Sequence, residues 1–197
     1  MSNLLRSNID KRLKVTEEEW QGLLSIMKPK TLKKRELLLK AGEVCEFNSF
    51  ILKGCMRTFF TDEKGHEHIF QMGFEDWWSS DLMSYVTGEP AHYSIEALEE
   101  TELLQMHRDD YESLFLKFPR YERFFRILMQ NAYVAAQRRM IDTMSYSAER
   151  RYLELVKKYP NMEMRVAQHH IASYLGITPE ALSRIKRGII EKSRSSS

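Results

Sequence analysis

Between Arg120 and Ser145 the chain contains neither glycine nor proline, so the segment can form one helix of roughly 25 residues, about 38 Å long at the standard rise. A rod of that length must be covered by something. Phe124, Ile127, Leu128, Val134, Ala135 and Ile141 give it an apolar stripe, with Ile127, Val134 and Ile141 at seven-residue intervals, the spacing that keeps one helix face against a partner helix. The small Ala132, Ala135 and Ala136 let that partner approach closely. The stripe predicts a symmetric dimer seam; the alternative is that it packs on a strand domain of its own chain.

What precedes the rod has a different texture. From Leu37 to about Gln105, short apolar segments such as Leu37–Leu39, Phe50–Leu52 and Met56–Phe60 are broken by turn residues, and the aromatic and β-branched enrichment predicts many short strands. Gly42, Gly54, Gly65 and Gly88 fall between these runs, where positive φ or a close backbone approach is needed. Asp62–Gly65 reads as the turn of a hairpin joining Met56–Phe60 to His68–Met72. An antiparallel roll or barrel is the natural fold for such a region. Upstream, Thr16 and Glu19 are spaced as a capping box with Val15 and Trp20 at the staple positions, so a short amphipathic helix starts there. It should end near Met27, because Pro29 biases its predecessor away from helical geometry. Asp109 followed by Glu112 marks another helix start.

After the rod, Ser147 to Lys158 reads as a helix that ends before Pro160, and Ser193–Ser197 is a low-complexity tail expected to be disordered. The chain thus divides into a strand-rich domain (1–118), a long dimerisation helix (119–145) and a helical domain (146–197). The fold class is α+β.

A length of 197 residues, with 43% hydrophobic and 29% charged, excludes a disordered chain or a disulfide miniprotein. No apolar run approaches the roughly 18 residues needed to cross a bilayer, and residues 1–10 lack the apolar core of a secretory signal. A soluble cytoplasmic protein with no membrane partner is expected. The two cysteines, Cys45 and Cys55, are too few for a disulfide framework, a four-cysteine zinc site or an iron-sulfur cluster. The net charge of +2 hides a division: residues 1–118 carry 15 Lys+Arg against 21 Asp+Glu, and residues 119–197 carry 15 against 7. The basic back half can supply phosphate contacts, whereas the acidic front half argues against nucleic acid there.

The most informative stretch is Gln168–Arg187. A helix-turn-helix needs apolar inner faces on two short helices, a small residue where they cross and a turn residue tolerant of positive φ. Ile171, Leu175, Ile177, Leu182 and Ile185 supply the apolar set, Ala172 the crossing residue and Gly176 the turn. Thr178 can cap the second helix, and Pro179 stands in its first turn, where a missing donor costs nothing. Glu180, Ser183, Arg184 and Arg187 then point away from the core. Arginine can bond a guanine edge through two parallel hydrogen bonds, glutamate can accept from cytosine, and serine serves phosphate or base. The alternative is a helical hairpin with a solvated outer face.

These residues, together with the roll segment Phe50–Arg57, make the chain resemble the cyclic-AMP receptor protein and fumarate-nitrate regulator (CRP/FNR) family of bacterial transcription factors. The resemblance covers nearly the whole length. It implies a cyclic-nucleotide-binding-like β-roll sensor, a long dimer helix and a carboxy-terminal winged helix-turn-helix, with any wing between Pro160 and Val166 small. It also implies DNA contacts from Gln168, His169, Thr178, Pro179, Glu180, Ser183, Arg184 and Arg187, with Glu180 and Arg184 matching the family's glutamate and arginine on the recognition helix. Pro179 stands where that glutamate is often preceded by an arginine, so the operator preference differs from the best-known members. A palindromic duplex, a second copy of the chain and RNA polymerase are the implied partners.

The implied effector pocket comprises Trp78, Ser79, Ser80, Asp81, Leu82, His92, Tyr93 and Ser94. Nucleotide-binding members carry a Gly-Glu pair at the start of a phosphate cassette and an arginine near its end. Here Tyr93 replaces the arginine, and Gly88-Glu89 lies too close to it to open the cassette. Losing that charge-assisted contact would cost about 1.5 to 3 kcal/mol, so cyclic AMP is not the expected effector. Another small molecule can occupy the pocket, or Trp77, Trp78 and Tyr93 can fill it. Two rival functions stand beside this one. His66 and His68 are spaced as in the metal-binding barrels called cupins, but Gln71 and Met72 occupy the positions near the expected carboxylate and Glu75 comes late, so neither a metal nor a catalytic residue is expected. A regulator acting through a protein partner is the other.

Overall fold

The computed structural model describes residues 3–195. Thr16 accepts from the Glu19 amide at 3.2 Å while the Glu19 carboxylate takes the Thr16 N–H at 2.7 Å, and helix α2 (Glu17–Ile26) follows with Val15 and Trp20 both buried. Ahead of it stands a helix with no expectation in the sequence reading, α1 (Asn3–Asp10), which buries Leu5 and Ile9 completely. The strands begin at Lys28 rather than Leu37. Strand β1 (Lys28–Leu32) is exposed except at Leu32, and it has no apolar alternation to betray it. It tolerates Pro29 because it lies at a sheet edge.

Strands β2 (Leu37–Leu39), β3 (Phe47–Lys53), β4 (Met56–Thr61), β5 (Glu67–Gly73), β6 (Trp78–Ser79), β7 (Ser94–Ala97) and β8 (Thr101–His107) complete two antiparallel four-stranded sheets, ordered β1-β8-β3-β6 and β2-β7-β4-β5. The expected hairpin is β4–β5, with Phe60 opposite His68. Asp62 closes its turn by accepting the Lys64 and His66 amides, each at 2.9 Å. Leu32, Leu39, Ile51, Met56, Ile95 and Leu103 form the core between the sheets. Gly54, at φ +108°, has its α-carbon so close to Thr101 that an added Cβ would meet the Thr101 Cα at 2.7 Å.

Helix α3 (Leu82–Thr87) interrupts the strands, α4 (Arg108–Lys117) follows the last of them, and α5 runs from Arg120 to Ser145 as the rod. The rod's stripe is divided. Phe124 is fully buried against α2 and β3, and Ile127 and Leu128 are half-buried, whereas Val134, Ala135 and Ile141 are exposed. Packing on the roll therefore accounts for its first two turns and leaves the rest of the stripe uncovered in the single chain.

Beyond it lie α6 (Ala148–Lys158), α7 (Met162–Arg165), α8 (Gln168–Leu175) and α9 (Pro179–Ser195). Two expectations are corrected here. No wing forms among the described residues: seven residues cannot supply two strands and a turn, and Met162–Arg165 coil into a helix that buries Met162. The serine-rich tail is also helical as far as Ser195, because α9 continues through it; Ser196 and Ser197 lie outside the described residues.

Candidate nucleic-acid interface and sensor cleft

The bihelical unit is held by the seven positions that the sequence singled out. Ile171, Ala172, Leu175 and Leu182 are buried, with Ile177 and Ile185 packed against them. Gly176 adopts the left-handed conformation (φ +66°) and closes α8 by donating to Ala172 and Ser173 carbonyls. Thr178 caps α9 through its hydroxyl, which accepts the Ala181 N–H at 3.2 Å. With the inner face so occupied, Pro179, Glu180, Arg184 and Arg187 are left exposed, as are Gln168, His169 and Thr178. Ser183 is half-buried because Gln168 Nε2 donates to its Oγ at 2.6 Å, a bond that ties the start of α8 to the outward face of α9. Glu180 is held below the usual carboxylate range, first by its own backbone amide and then by Thr178. Among the described residues no ion pair holds Arg184 or Arg187, and both are exposed.

This head does not hang free of the roll. One continuous apolar cluster joins Cys55, Phe59, Ile69, Met72 and Phe74 of the roll to Tyr152, Leu155, Met162 and Ile171 of the head. Strand β5 is a sheet edge with unpaired backbone groups, and Ser173 covers it: its Oγ accepts the Ile69 N–H at 3.0 Å and donates to the Glu67 carbonyl at 3.2 Å. Arg165 from α7 bridges Glu75 and Glu99 of the roll, at 2.7 and 3.0 Å. Its two carboxylate partners strengthen the guanidinium's hold on its proton, and Arg165 in turn holds Glu75 below its ordinary value against the opposing effect of burial. None of these tethers was legible in sequence, since each joins residues 66 to 106 positions apart.

The eight residues of the implied effector pocket do not converge. Adjacent side chains of β6 and its approach point opposite ways, as strand geometry requires. Trp77 lies beside Tyr159 of the head, its ring under the Lys158 ammonium, and Trp78 packs on Phe50, Phe124 and Phe125 beside the rod. Of the aromatics that the sequence offered as one way to fill the pocket, Trp78 is claimed by the rod, whereas Trp77 and Tyr93 pack against the roll core. Ser79 pairs with Ser49 in the sheet. Asp81 is fully buried and caps α3 by accepting the Ser84 amide at 3.1 Å. Tyr93 sits edge-on to Phe70, and its hydroxyl is pushed up by burial and then by the nearby Asp81 charge. Ser94 Oγ accepts the Ala41 amide at 3.0 Å; Leu82 and His92 are exposed.

Only Ser80 of the eight lines the cleft of about 180 Å³ in the roll, together with Lys30, Glu43, Cys45, Glu46 and Gln105 among others. The residues present do not fit a cyclic phosphodiester: no arginine lines the cleft, where Glu43 and Glu46 stand beside one cation, Lys30. Its volume is also below the roughly 300 to 1,000 Å³ of pockets for small molecules. His66 and His68 flank Asp62 at 3.6 and 2.8 Å. Among the described residues, no group of three or more His, Cys, Asp or Glu could hold a metal ion.

Residues 29–118 match the model of the cyclic nucleotide-binding domain family. No curated protein matches in sequence. Solved structures do match over nearly the whole chain. FixK2 from Bradyrhizobium japonicum superposes with a TM-score of 0.71 at 17% identity, covering 85% of this chain and 86% of that one. The regulator CLP of Xanthomonas campestris, described as responsive to c-di-GMP, gives 0.73 at 10% identity over 90% and 93%. The catabolite activator protein of Thermus thermophilus gives 0.55 at 21% identity over 91% and 85%. The chain shares the fold of these solved structures, and its residues 29–118 are similar to a cyclic nucleotide-binding domain. No helix among the described residues is long and apolar enough to cross a membrane.

Proposed function

We propose that this chain is a DNA-binding transcription regulator that acts as a homodimer, with two copies of α9 in successive major grooves of a palindromic operator. The observation that carries the reading is the outward face of α9: Glu180, Arg184 and Arg187 stand exposed on a bihelical unit whose inner face is fully used. Pairing of two rods through Val134, Ala135 and Ile141 would set the two recognition helices about 34 Å apart, one turn of DNA. RNA polymerase is the protein partner of such a regulator. Any effector of the roll is a small molecule other than a cyclic nucleotide, and it acts only by its differential affinity for two poses of the head.

The test is selection from a random duplex library with purified protein, followed by binding measurements on the recovered sequence. An inverted repeat is expected. Arg184→Ala should weaken that duplex by about 1 to 3 kcal/mol and relax preference at one base pair, while leaving binding to unrelated DNA nearly unchanged. Recovery of no preferred sequence would refute the reading and favour a regulator acting through a protein partner.

A further inference from the structure

The cleft in the roll carries charges that the chain leaves unmatched. Lys30 of β1 and Glu46, just ahead of β3, line the same space of about 180 Å³, and both are exposed. They stand too far apart to pair with each other, and neither side chain has a hydrogen-bond or ion-pair partner among the described residues. Glu43 differs, because its carboxylate already accepts the Lys40 amide at 3.3 Å. Two opposite charges that share a small cleft without meeting leave a gap that a molecule charged at both ends can bridge.

The buried wall supplies a third unmatched group. Gln105 of β8 lines the cleft and is only 6% exposed. Its Nε2 donates to Ser49 Oγ at 3.0 Å, and this bond leaves the amide carbonyl without a donor among the described residues. The Asn48 carbonyl oxygen is also unpaired but is sealed within protein; that of Gln105 is not sealed, and the cleft is the opening that Gln105 lines. A carbonyl so deeply set gains from any donor that reaches it. Leu39 and Ile95 face the same space from the core between the sheets.

An occupant must bring a positive donor to Glu46 and Gln105, a negative group to Lys30 and a small apolar body to Leu39 and Ile95. A cavity of about 150 Å³ holds a molecule of benzene's size, so this one suits a small metabolite and excludes a nucleotide. Apart from Ser80, no residue of the implied phosphate cassette lines it. Resting on the reading of the roll as the sensor of a regulator, we infer that this cleft binds a small free α-amino acid with an apolar side chain. Glu46 and the Gln105 carbonyl take its ammonium group, and Lys30 takes its carboxylate. An amine alone leaves Lys30 unmatched, and a carboxylic acid alone leaves Glu46 unmatched, so both charges are needed for full affinity.

The test is calorimetric titration of the full-length protein, without DNA, with glycine, L-alanine, L-valine and L-leucine. Butylamine and butyrate serve as probes that carry one charge each. At least one amino acid should bind saturably, and both single-charge probes should bind more weakly by about ten-fold or more. Lys30→Gln and Glu46→Gln, both at exposed positions, should each weaken that amino acid about ten- to hundred-fold, with thermal unfolding of the free protein unchanged. Either variant that unfolds as wild type does is sufficient to decide the point. Absence of saturable binding by any of the amino acids at millimolar concentration would overturn the inference. Equal binding of butylamine or butyrate would do the same, as would wild-type affinity in a folded variant. Because no duplex is present, a protein that binds the amino acid but selects no DNA sequence would keep the site and lose only the DNA-binding reading.

Discussion

His170 shows how much a single side chain depends on its surroundings. Burial, and then the charges of Arg57 and His169, depress its imidazole to about 4; Glu67 opposes and Arg35 adds to the depression. A histidine that folds neutral and unfolds with its ordinary value near 6.5 binds fewer protons folded than unfolded between those limits. Stability therefore falls as the pH drops from about 6.5 toward 4, and the strain is felt where His170 sits, between head and roll. Protection factors of the α8 and β5 amides, with the pH dependence of intrinsic exchange divided out, should fall over that interval, and His170→Gln should flatten the response. Protection factors that stay constant from about pH 6.5 to 4 in wild type would show that the imidazole is not confined as described. Glu180 and Arg184 were readable from sequence because four-residue spacing alone places them on one helix face. His170 and Arg165 were not, since what makes each consequential is a set of charges on distant strands.

At the scale of elements, two glycines with positive φ separate backbone geometry from packing. Gly176 has nothing within 4 Å of the place a Cβ would occupy, so Gly176→Ala should cost only the left-handed conformation, about 1 to 2 kcal/mol, and Gly176→Asn less. Gly54 faces both the same conformational cost and the backbone of Thr101, so Gly54→Ala should destabilise by distinctly more, about 2 to 5 kcal/mol once the overpacking is added. Thermal unfolding of the pair decides it; equal effects would show that the β3–β4 turn yields. The same scale separates what was legible from what was not. Helices α2, α5, α6, α8 and α9 carry caps, stops and apolar periodicity within their own residues, and hairpin β4–β5 carries its turn. Strand β1, helix α1 and helix α7 carry no such local mark, and neighbours supply their reason for forming: Lys28–Leu32 pairs throughout with β8.

For the whole molecule, the uncovered part of the rod is the feature that asks for a partner. Val134, Met140, Ile141 and Met144 are between 44% and 81% exposed, a stretch of apolar surface that a lone chain leaves in water. Ile141→Glu places a charge in that seam and should convert a micromolar dimer to monomer in sedimentation equilibrium, with little change in secondary structure, and should abolish preference for an inverted repeat while leaving weak binding to any duplex. A wild-type protein that sediments as a monomer would remove the seam. The amino-acid sequence by itself determined the rod, the strand-rich front and the bihelical head, because capping, periodicity and turn chemistry act over a few residues. Only the tertiary structure decided that the rod's first two turns belong to the roll and that Ser173 and Arg165 fasten the head to it. Those outcomes depend on groups far apart along the chain, 66 to 106 positions for the Arg165 and Ser173 tethers, where no local pattern reaches and only the packing of the finished chain sets the distance.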